Sequence, residues 1–137
     1  MLESSVLIAA ERRKFDLTGF LAAYPGELLT LAAITVSELR HGCYRAVDRN
    51  IRERREQFVA DILYRAAIVP FGAVEAECHA QLWVELERRG QMIGSHDLLI
   101  AATASSGGHR LATLNESEFR RVGGLALLSV AEWQRSV

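Results

Sequence analysis

The chain has 137 residues, of which 50% are hydrophobic and 24% charged, and its formal net charge is −1. This length is enough for one domain, residues 1–137, with a core that needs no disulfides or metals. The near-zero charge excludes a protein that binds nucleic acid with its whole surface, although a local basic patch remains compatible with it.

The two cysteines, Cys43 and Cys78, stand alone, without the spacing of metal ligands or of a disulfide framework. We therefore expect reduced thiols and a cytoplasmic protein. The longest apolar runs fall far short of the roughly 20 residues of a membrane span, and the first residues lack the pattern of a signal peptide. We expect no membrane partner.

Short apolar runs alternate with helical periodicities along the chain. The strands are predicted at residues 2–8, in the later part of 28–35, and at 67–71, 109–113 and 126–129. The helices are predicted at residues 9–13, 16–24, 35–47, 50–66, 73–89, 115–121 and 130–135, with a further one after Gly94. Such alternation predicts an α/β fold with a parallel sheet covered on both faces.

The stretch from Ile93 to Ser106 is predicted to form the central helix. From Leu98 to Ala104 only Thr103 is polar, and a helix that is apolar on all sides belongs inside the molecule. Ser95 is a good N-cap residue, and Asp97 then lies in the first turn. Asp97 either only balances the helix dipole or is an acid held at a functional site.

Other acids and an amide lie in a predicted strand or shortly after one. They are Glu3, Glu38, Asn115 and Glu118. The carboxyl ends of parallel strands share one edge of a sheet, where ligands gather, so these groups are expected to converge with Asp97. Clustered carboxylates repel unless a cation binds between them, and oxygen ligands suit Mg²⁺ or Mn²⁺. Such sites hydrolyse phosphoesters.

Each of these groups also has a structural explanation. Residues 35–38 form a capping box in which Glu38 would bond back to the helix start. Glu118 is alternatively a surface charge, and Asn115 a turn or cap residue. His96 is expected to lie at the surface near the helix start.

Arg55 falls within the apolar stripe of the helix predicted at 50–66. Its stem must run along the core and its guanidinium must emerge at a polar opening, where it would pair with a backbone phosphate. The alternative is a structural ion pair with Glu56 or Asp61. The candidate RNA contacts are Arg55, Arg52, Ser5 and Thr113.

Five motifs of the chain resemble those of the PIN-domain ribonucleases, and within them the VapC-type toxins of bacterial toxin–antitoxin pairs. They are SSVLIA at 4–9, ITVSEL at 34–39 followed by Gly42, IGSHDLLIAATA at 93–104, LATLN at 111–115 and EFRRVGGL at 118–125. The resemblance implies a PIN-like three-layer α/β/α fold with a central, mainly parallel sheet of four to five strands. It also implies Mg²⁺-dependent cleavage of RNA and a cognate antitoxin.

The resemblance makes Glu3, Glu38, Asp97, Asn115 and Glu118 the candidate catalytic residues, the first three as metal ligands. The family has an aspartate where this chain has Glu3, which shifts the carboxylate by about 1.5 Å. Two hypotheses follow: an active endoribonuclease toxin, or a catalytically weak or silent module that binds RNA or an antitoxin.

Partner surfaces are predicted as well. The first two predicted helices offer more apolar surface than a small hairpin buries by itself, at Phe15, Leu17, Phe20, Leu21 and Tyr24. An apolar patch of this kind suits an antitoxin or a homodimer interface.

Overall fold

The structure is a computed structural model that describes residues 1–135. Its α-helices are α1 Ser4–Glu11, α2 Leu17–Ala22, α3 Ala33–Tyr44, α4 Arg49–Arg65, α5 Ala73–Arg88, α6 Ser95–Ser106 and α7 Glu116–Phe119. Its strands are β1 Thr30–Ala32, β2 Ala67–Val69, β3 Leu111–Ala112 and β4 Leu127–Leu128. The terminal helix predicted at 130–135 is a short 3-10 helix, Ala131–Trp133.

The strands pair in parallel, β1 with β2 and β3 with β4. The first residues of the chain lie between the two pairs. The Leu2 N–H donates to the Thr30 carbonyl at 3.0 Å, and the Glu3 N–H donates to the Ala112 carbonyl at 3.0 Å. The α/β fold with parallel strands is therefore confirmed. The expected sheet of four to five strands is replaced by two small sheets with this extended segment between them.

The predicted first strand at 2–8 is wrong beyond Leu2. Helix α1 begins at Ser4, and Glu3 is its N-cap, with extended backbone and a side chain that accepts a hydrogen bond from the Ser5 N–H. Val6 and Leu7 of this helix are fully buried. A short apolar run suits a buried strand and a buried helix equally, and the N-cap decides between them.

Helix α6 is buried as predicted. Ile100, Ala101, Ala102 and Ala104 have no exposed surface. The N-cap is Gly94 rather than the predicted Ser95, and it makes no side-chain cap bond. Leu82 and Leu86 of α5 belong to the same hydrophobic cluster. Within residues 1–135, no helix has the length and apolar character needed to cross a membrane.

The aromatic residues of the 15–24 segment are largely used inside the molecule. Phe15 and Phe20 are 4% and 3% exposed. The Phe20 ring lies edge-on to Trp133, with centroids 5.2 Å apart, and Tyr24 lies 5.2 Å from Phe20. The expectation of a free apolar surface at Phe15 and Phe20 is therefore wrong, because the 3-10 helix covers them.

The burial of α6 predicts a large effect of truncating its core. Ile100→Ala should lower the free energy of unfolding by about 2–5 kcal/mol, because it removes a fully buried side chain and leaves a cavity. Val47, which is 100% exposed, provides the control: Val47→Ala should change stability by about 0.5 kcal/mol or less. Urea unfolding measures both, and equal effects would contradict the packing described.

Candidate functional site

Glu3 is the most enclosed acid of the candidate site, with only 2% of its surface exposed. Its Oε2 accepts hydrogen bonds from the Ser4 hydroxyl at 2.8 Å and from the Ser5 N–H. Its Oε1 accepts from the Ser5 hydroxyl at 2.9 Å and from the Thr113 hydroxyl at 2.7 Å. The carboxylate thus joins the start of α1 to the residue that follows β3.

The Ser4 hydroxyl also connects Glu3 to Glu38. It lies 2.8 Å from Glu3 Oε2 and 3.1 Å from Glu38 Oε1, so its single hydrogen is shared between two carboxylates. Helix α3 begins at Ala33 with Ala32 as its N-cap, so Glu38 lies past the first turn. The capping-box alternative for Glu38 is therefore wrong. Burial is the main reason that the pKa of Glu38 is raised, and the charge of Glu3 adds to it.

Asp97 and Glu118 meet at the start of α6. Glu118 Oε1 accepts a hydrogen bond from the Gly94 N–H at 2.9 Å. The pKa of Asp97 is raised to about 7, first by burial, then by a hydrogen bond to the Glu118 side chain, then by the charges of Glu118, Glu3 and Glu38. A hydrogen bond between two carboxyl groups requires a proton on one of them. Because its pKa is raised, the Asp97 carboxyl keeps its proton to a higher pH than an ordinary aspartate, and a bound cation would compete with that proton.

The residues after β3 are held by the two hydroxyls that also bind Glu3. The Ser5 hydroxyl accepts from the Leu114 N–H at 3.0 Å, and the Thr113 hydroxyl accepts from the Asn115 N–H at 3.0 Å. Asn115 itself is exposed at the N-cap of α7, and its side chain makes no cap bond. The fold therefore brings the Asn115 backbone to the site, but it ties the Asn115 side chain to none of the acids.

A groove of about 530 Å³ extends from Glu38 between α1, α3 and α4. Arg55 lines it and donates to the Gly42 carbonyl at 3.0 Å. No residue within 1–135 forms an ion pair with Arg55, so the predicted partners Glu56 and Asp61 are not used. Arg52 instead pairs with Glu56 at 3.0 Å and lies over the Tyr44 ring, outside the groove lining.

Three residues of this region have roles that the sequence reasoning missed. Ser4 bridges two acids, Gly94 provides an N–H to Glu118, and His96 places its Nδ1 3.7 Å from Glu38 Oε2. The sequence did contain a signal for the role of Ser4: two adjacent serines directly follow an acid at the start of a helix. His96 is exposed, as expected, but it lies at the mouth of the site.

The predicted divalent cation can be compared with these donors. Among residues 1–135, no three His, Cys, Asp or Glu side chains are close enough to hold an ion on their own. Mg²⁺ in proteins keeps several waters and uses one or two carboxylates, so it does not need three such side chains. The donors are all oxygens, and burial and mutual repulsion raise the pKa values of both Glu38 and Asp97. This donor set fits a hard divalent cation.

Comparison with known proteins identifies the family of this chain. The PIN domain signature matches residues 1–125. Ribonuclease VapC1 of Rickettsia felis is 33% identical over 131 residues, 96% of each chain, and ribonuclease VapC of Rickettsia bellii is 32% identical over 130 residues, 95% of each. The crystal structure of VapBC2 from Rickettsia felis bound to a promoter DNA fragment contains a chain that superposes with a TM-score of 0.84 at 27% identity. That superposition covers 93% of this chain and 96% of the other. The chain belongs to the PIN domain family and, within it, to the VapC ribonuclease toxins of VapBC toxin–antitoxin systems.

Proposed function

We propose that the chain is a Mg²⁺-dependent endoribonuclease toxin that hydrolyses RNA phosphodiester bonds. Asp97 carries the proposal, because its carboxyl is half-buried beside three other acids and its pKa is raised to about 7. Such a group is poorly accommodated without a cation. The ribonuclease names of the two Rickettsia relatives support the same reaction.

The proposed catalytic site comprises Glu3, Glu38, Asp97, Asn115 and Glu118. Glu38 and Asp97 are the proposed direct ligands of Mg²⁺, with Mn²⁺ as a substitute. Glu118 fixes Asp97 through the Gly94 N–H and through its own carboxyl. When bound, the cation polarises the phosphodiester and lowers the pKa of the attacking water.

The proposed RNA path follows the groove away from Glu38. Arg55 contacts the backbone there, since its guanidinium is held only by a carbonyl and keeps its charge free for a phosphate. Ser5 and Thr113 contribute indirectly, because their hydroxyls are engaged by Glu3 and by the loop after β3. Arg52 is less suited than Arg55 to bind a phosphate, because its charge is already paired with Glu56.

A silent binding module is the second candidate. It is favoured by one observation, the engagement of Glu3 by four hydrogen bonds from its own chain. The silent module predicts binding of RNA or antitoxin with no cleavage at any Mg²⁺ concentration. Cleavage assays therefore separate the two candidates directly.

Asp97→Asn tests the metal site. Removing this charge should lower RNA cleavage by about a hundredfold or more, because the cation loses a direct ligand. The thermal stability of the metal-free protein should stay the same or rise, since the repulsion with Glu118, Glu3 and Glu38 is relieved. Cleavage of a model RNA and thermal unfolding measure the two effects.

Glu77→Gln is the matched control, because Glu77 is exposed on α5 and makes no ion pair within residues 1–135. It should cleave like the unchanged chain. Cleavage that persists in excess chelator would contradict the metal mechanism.

The raised pKa of Asp97 predicts a pH dependence of metal binding. Between about pH 4 and pH 7 the unfolded chain loses the Asp97 proton while the folded chain keeps it, so the metal-free protein loses stability as the pH rises. Mg²⁺ competes with that proton. The increase in melting temperature on adding Mg²⁺ should therefore be about twofold or more larger at pH 8 than at pH 5.5. An equal increase at both pH values would argue against Asp97 as the ligand.

We propose the groove as the docking site of the cognate antitoxin. Its walls include Leu7, Ile8, Leu39 and Phe58, and Arg12, Arg45 and Arg55 add positive charge. An apolar groove with cationic sides suits a segment that carries both apolar and acidic side chains. Since Glu38 also lines the groove, an occupant would exclude RNA. The VapBC complexes among the structural relatives support a protein partner.

We also propose that the chain forms a homodimer. Helix α5 exposes Val74 and Val84, which are 70% and 41% accessible and lie on the same side of the helix. Large exposed apolar side chains on one helix favour burial against another protein surface.

Ile8→Asp tests the antitoxin groove. Ile8 is 38% exposed at the groove, and a charge there should weaken antitoxin binding by about tenfold or more, through lost apolar burial and charge desolvation. Val47→Asp is the control, because Val47 is fully exposed outside the groove. Titration calorimetry with the cognate antitoxin measures both, and equal affinities for the two variants would place the interface elsewhere.

A further inference from the structure

We propose that Glu3 is a positioning residue and not a metal ligand: its carboxylate is saturated by hydrogen bonds from its own chain and fixes the groups around the cation site. The inference rests on the proposed function, because it assumes that a cation binds near Glu38 and Asp97. It assigns to Glu3 a role different from the one that its place in the motif implies.

The number of hydrogen bonds that the Glu3 carboxylate can accept is limited. An ionised carboxylate has about four lone-pair sites, two on each oxygen. In Glu3, Oε2 accepts from the Ser4 hydroxyl and the Ser5 N–H, and Oε1 accepts from the Ser5 and Thr113 hydroxyls. Each oxygen therefore has two donors, one of which is the Ser4 hydroxyl that Glu3 shares with Glu38. A metal ion would have to displace one of these donors and leave it unsatisfied in a region where Glu3 is 2% exposed.

The extra methylene of glutamate explains how this arrangement arises. Glu3 is the N-cap of α1, and its side chain is long enough to curl back onto the Ser5 N–H while its other oxygen reaches Thr113. An aspartate is one bond shorter, so its carboxylate would lie nearer to the backbone at the helix start and farther from the Thr113 hydroxyl. The longer side chain of Glu3 therefore favours hydrogen bonds with Ser5 and Thr113 over contact with a metal ion.

The hydrogen bonds of Glu3 also orient groups in the rest of the site. By accepting their hydrogens, Glu3 turns the lone pairs of the Ser5 and Thr113 hydroxyls toward the Leu114 and Asn115 N–H groups. Those residues lead into α7, whose Glu118 contacts Gly94 and Asp97. On the other side, the Ser4 hydroxyl joins Glu3 to Glu38. Glu3 thus acts on both proposed ligands without touching the ion.

Glu3→Gln and Asp97→Asn form a matched pair of variants, because each removes one charge with little change in shape. Calorimetry with Mn²⁺ is the main measurement. We expect Glu3→Gln to bind Mn²⁺ within about threefold of the unchanged chain, and Asp97→Asn to bind at least about tenfold more weakly. In the metal-free state Glu3→Gln should melt about 5 °C or more below the unchanged chain, because it disturbs a buried hydrogen-bond centre.

A second measurement separates positioning from a purely structural role. At saturating Mn²⁺, Glu3→Gln should cleave RNA about tenfold more slowly in a single turnover, although its metal affinity is retained. Adding Ser4→Ala to Glu3→Gln should slow cleavage no further, because both changes break the same link to Glu38. A purely structural role would lower the melting temperature and leave the rate of the folded protein unchanged.

The outcomes distinguish this inference from the proposed function. Two results would show that Glu3 is a ligand: loss of Mn²⁺ binding in Glu3→Gln, as in Asp97→Asn, or tighter Mn²⁺ binding and faster cleavage in Glu3→Asp. Either result overturns the inference and leaves the proposed function standing. If the unchanged chain binds no Mn²⁺, the proposed metal mechanism fails, and the ligand assignment fails with it. Should Glu3→Gln not fold, Thr113→Val takes its place: we expect a lower melting temperature with unchanged Mn²⁺ affinity, and a tenfold change in affinity overturns the inference.

Discussion

The acids that meet at the start of α6 repel one another, and the rest of the structure must offset this repulsion. Folding half-buries Asp97, places it against Glu118 and brings it near Glu3 and Glu38. Burial first, and then these acids, raise the pKa of Asp97 to about 7. The mutual repulsion of these acids destabilises the fold, whereas the hydrogen bonds that Glu3 and Glu118 accept stabilise it. The arrangement persists because the acids stand at the end of a helix whose body is fully buried, and the apolar burial of that helix offsets the local repulsion.

The elements that the sequence predicts well are those with long patterns of their own. Helices α4 and α6 have 17 and 12 residues. Their amphipathic stripe and nearly continuous apolar stretch are long enough for the element type to be predicted from local spacing. The strands contain two or three residues each, which is too short for an alternation to be visible. Their pairing depends on distant residues, such as Leu2 opposite Ala112 and Thr30 opposite Ala67, and local sequence carries no record of that.

The site was predictable in its acids but not in the groups that hold them. Glu38 was predicted from its place after the second predicted strand, and Asp97 from its place in the first turn of the central helix. The motifs around both residues supported the prediction. Ser4 could not be placed between Glu3 and Glu38 without knowing that residues 4–11 are helical, since a strand would have turned alternate hydroxyls to opposite faces. One wrong element at the chain start therefore concealed both the Ser4 bridge and the cap made by Glu3.

Gly94 shows how closely the backbone must approach these acids. Its φ of −57° is ordinary for any residue, so the glycine is not required for an unusual backbone conformation. A Cβ there would crowd Asp97 Oδ2, at 3.2 Å, and would lie in ordinary contact with Glu118 Oε1, at 3.7 Å. Serine or aspartate would be the usual N-cap, but their side chains would enter the space that the Asp97 and Glu118 carboxyls occupy. The helix start therefore uses glycine, and the Glu118 carboxylate, reaching from α7 to the Gly94 N–H, replaces the missing side-chain cap. In this way the acid that repels Asp97 also holds the helix that carries it.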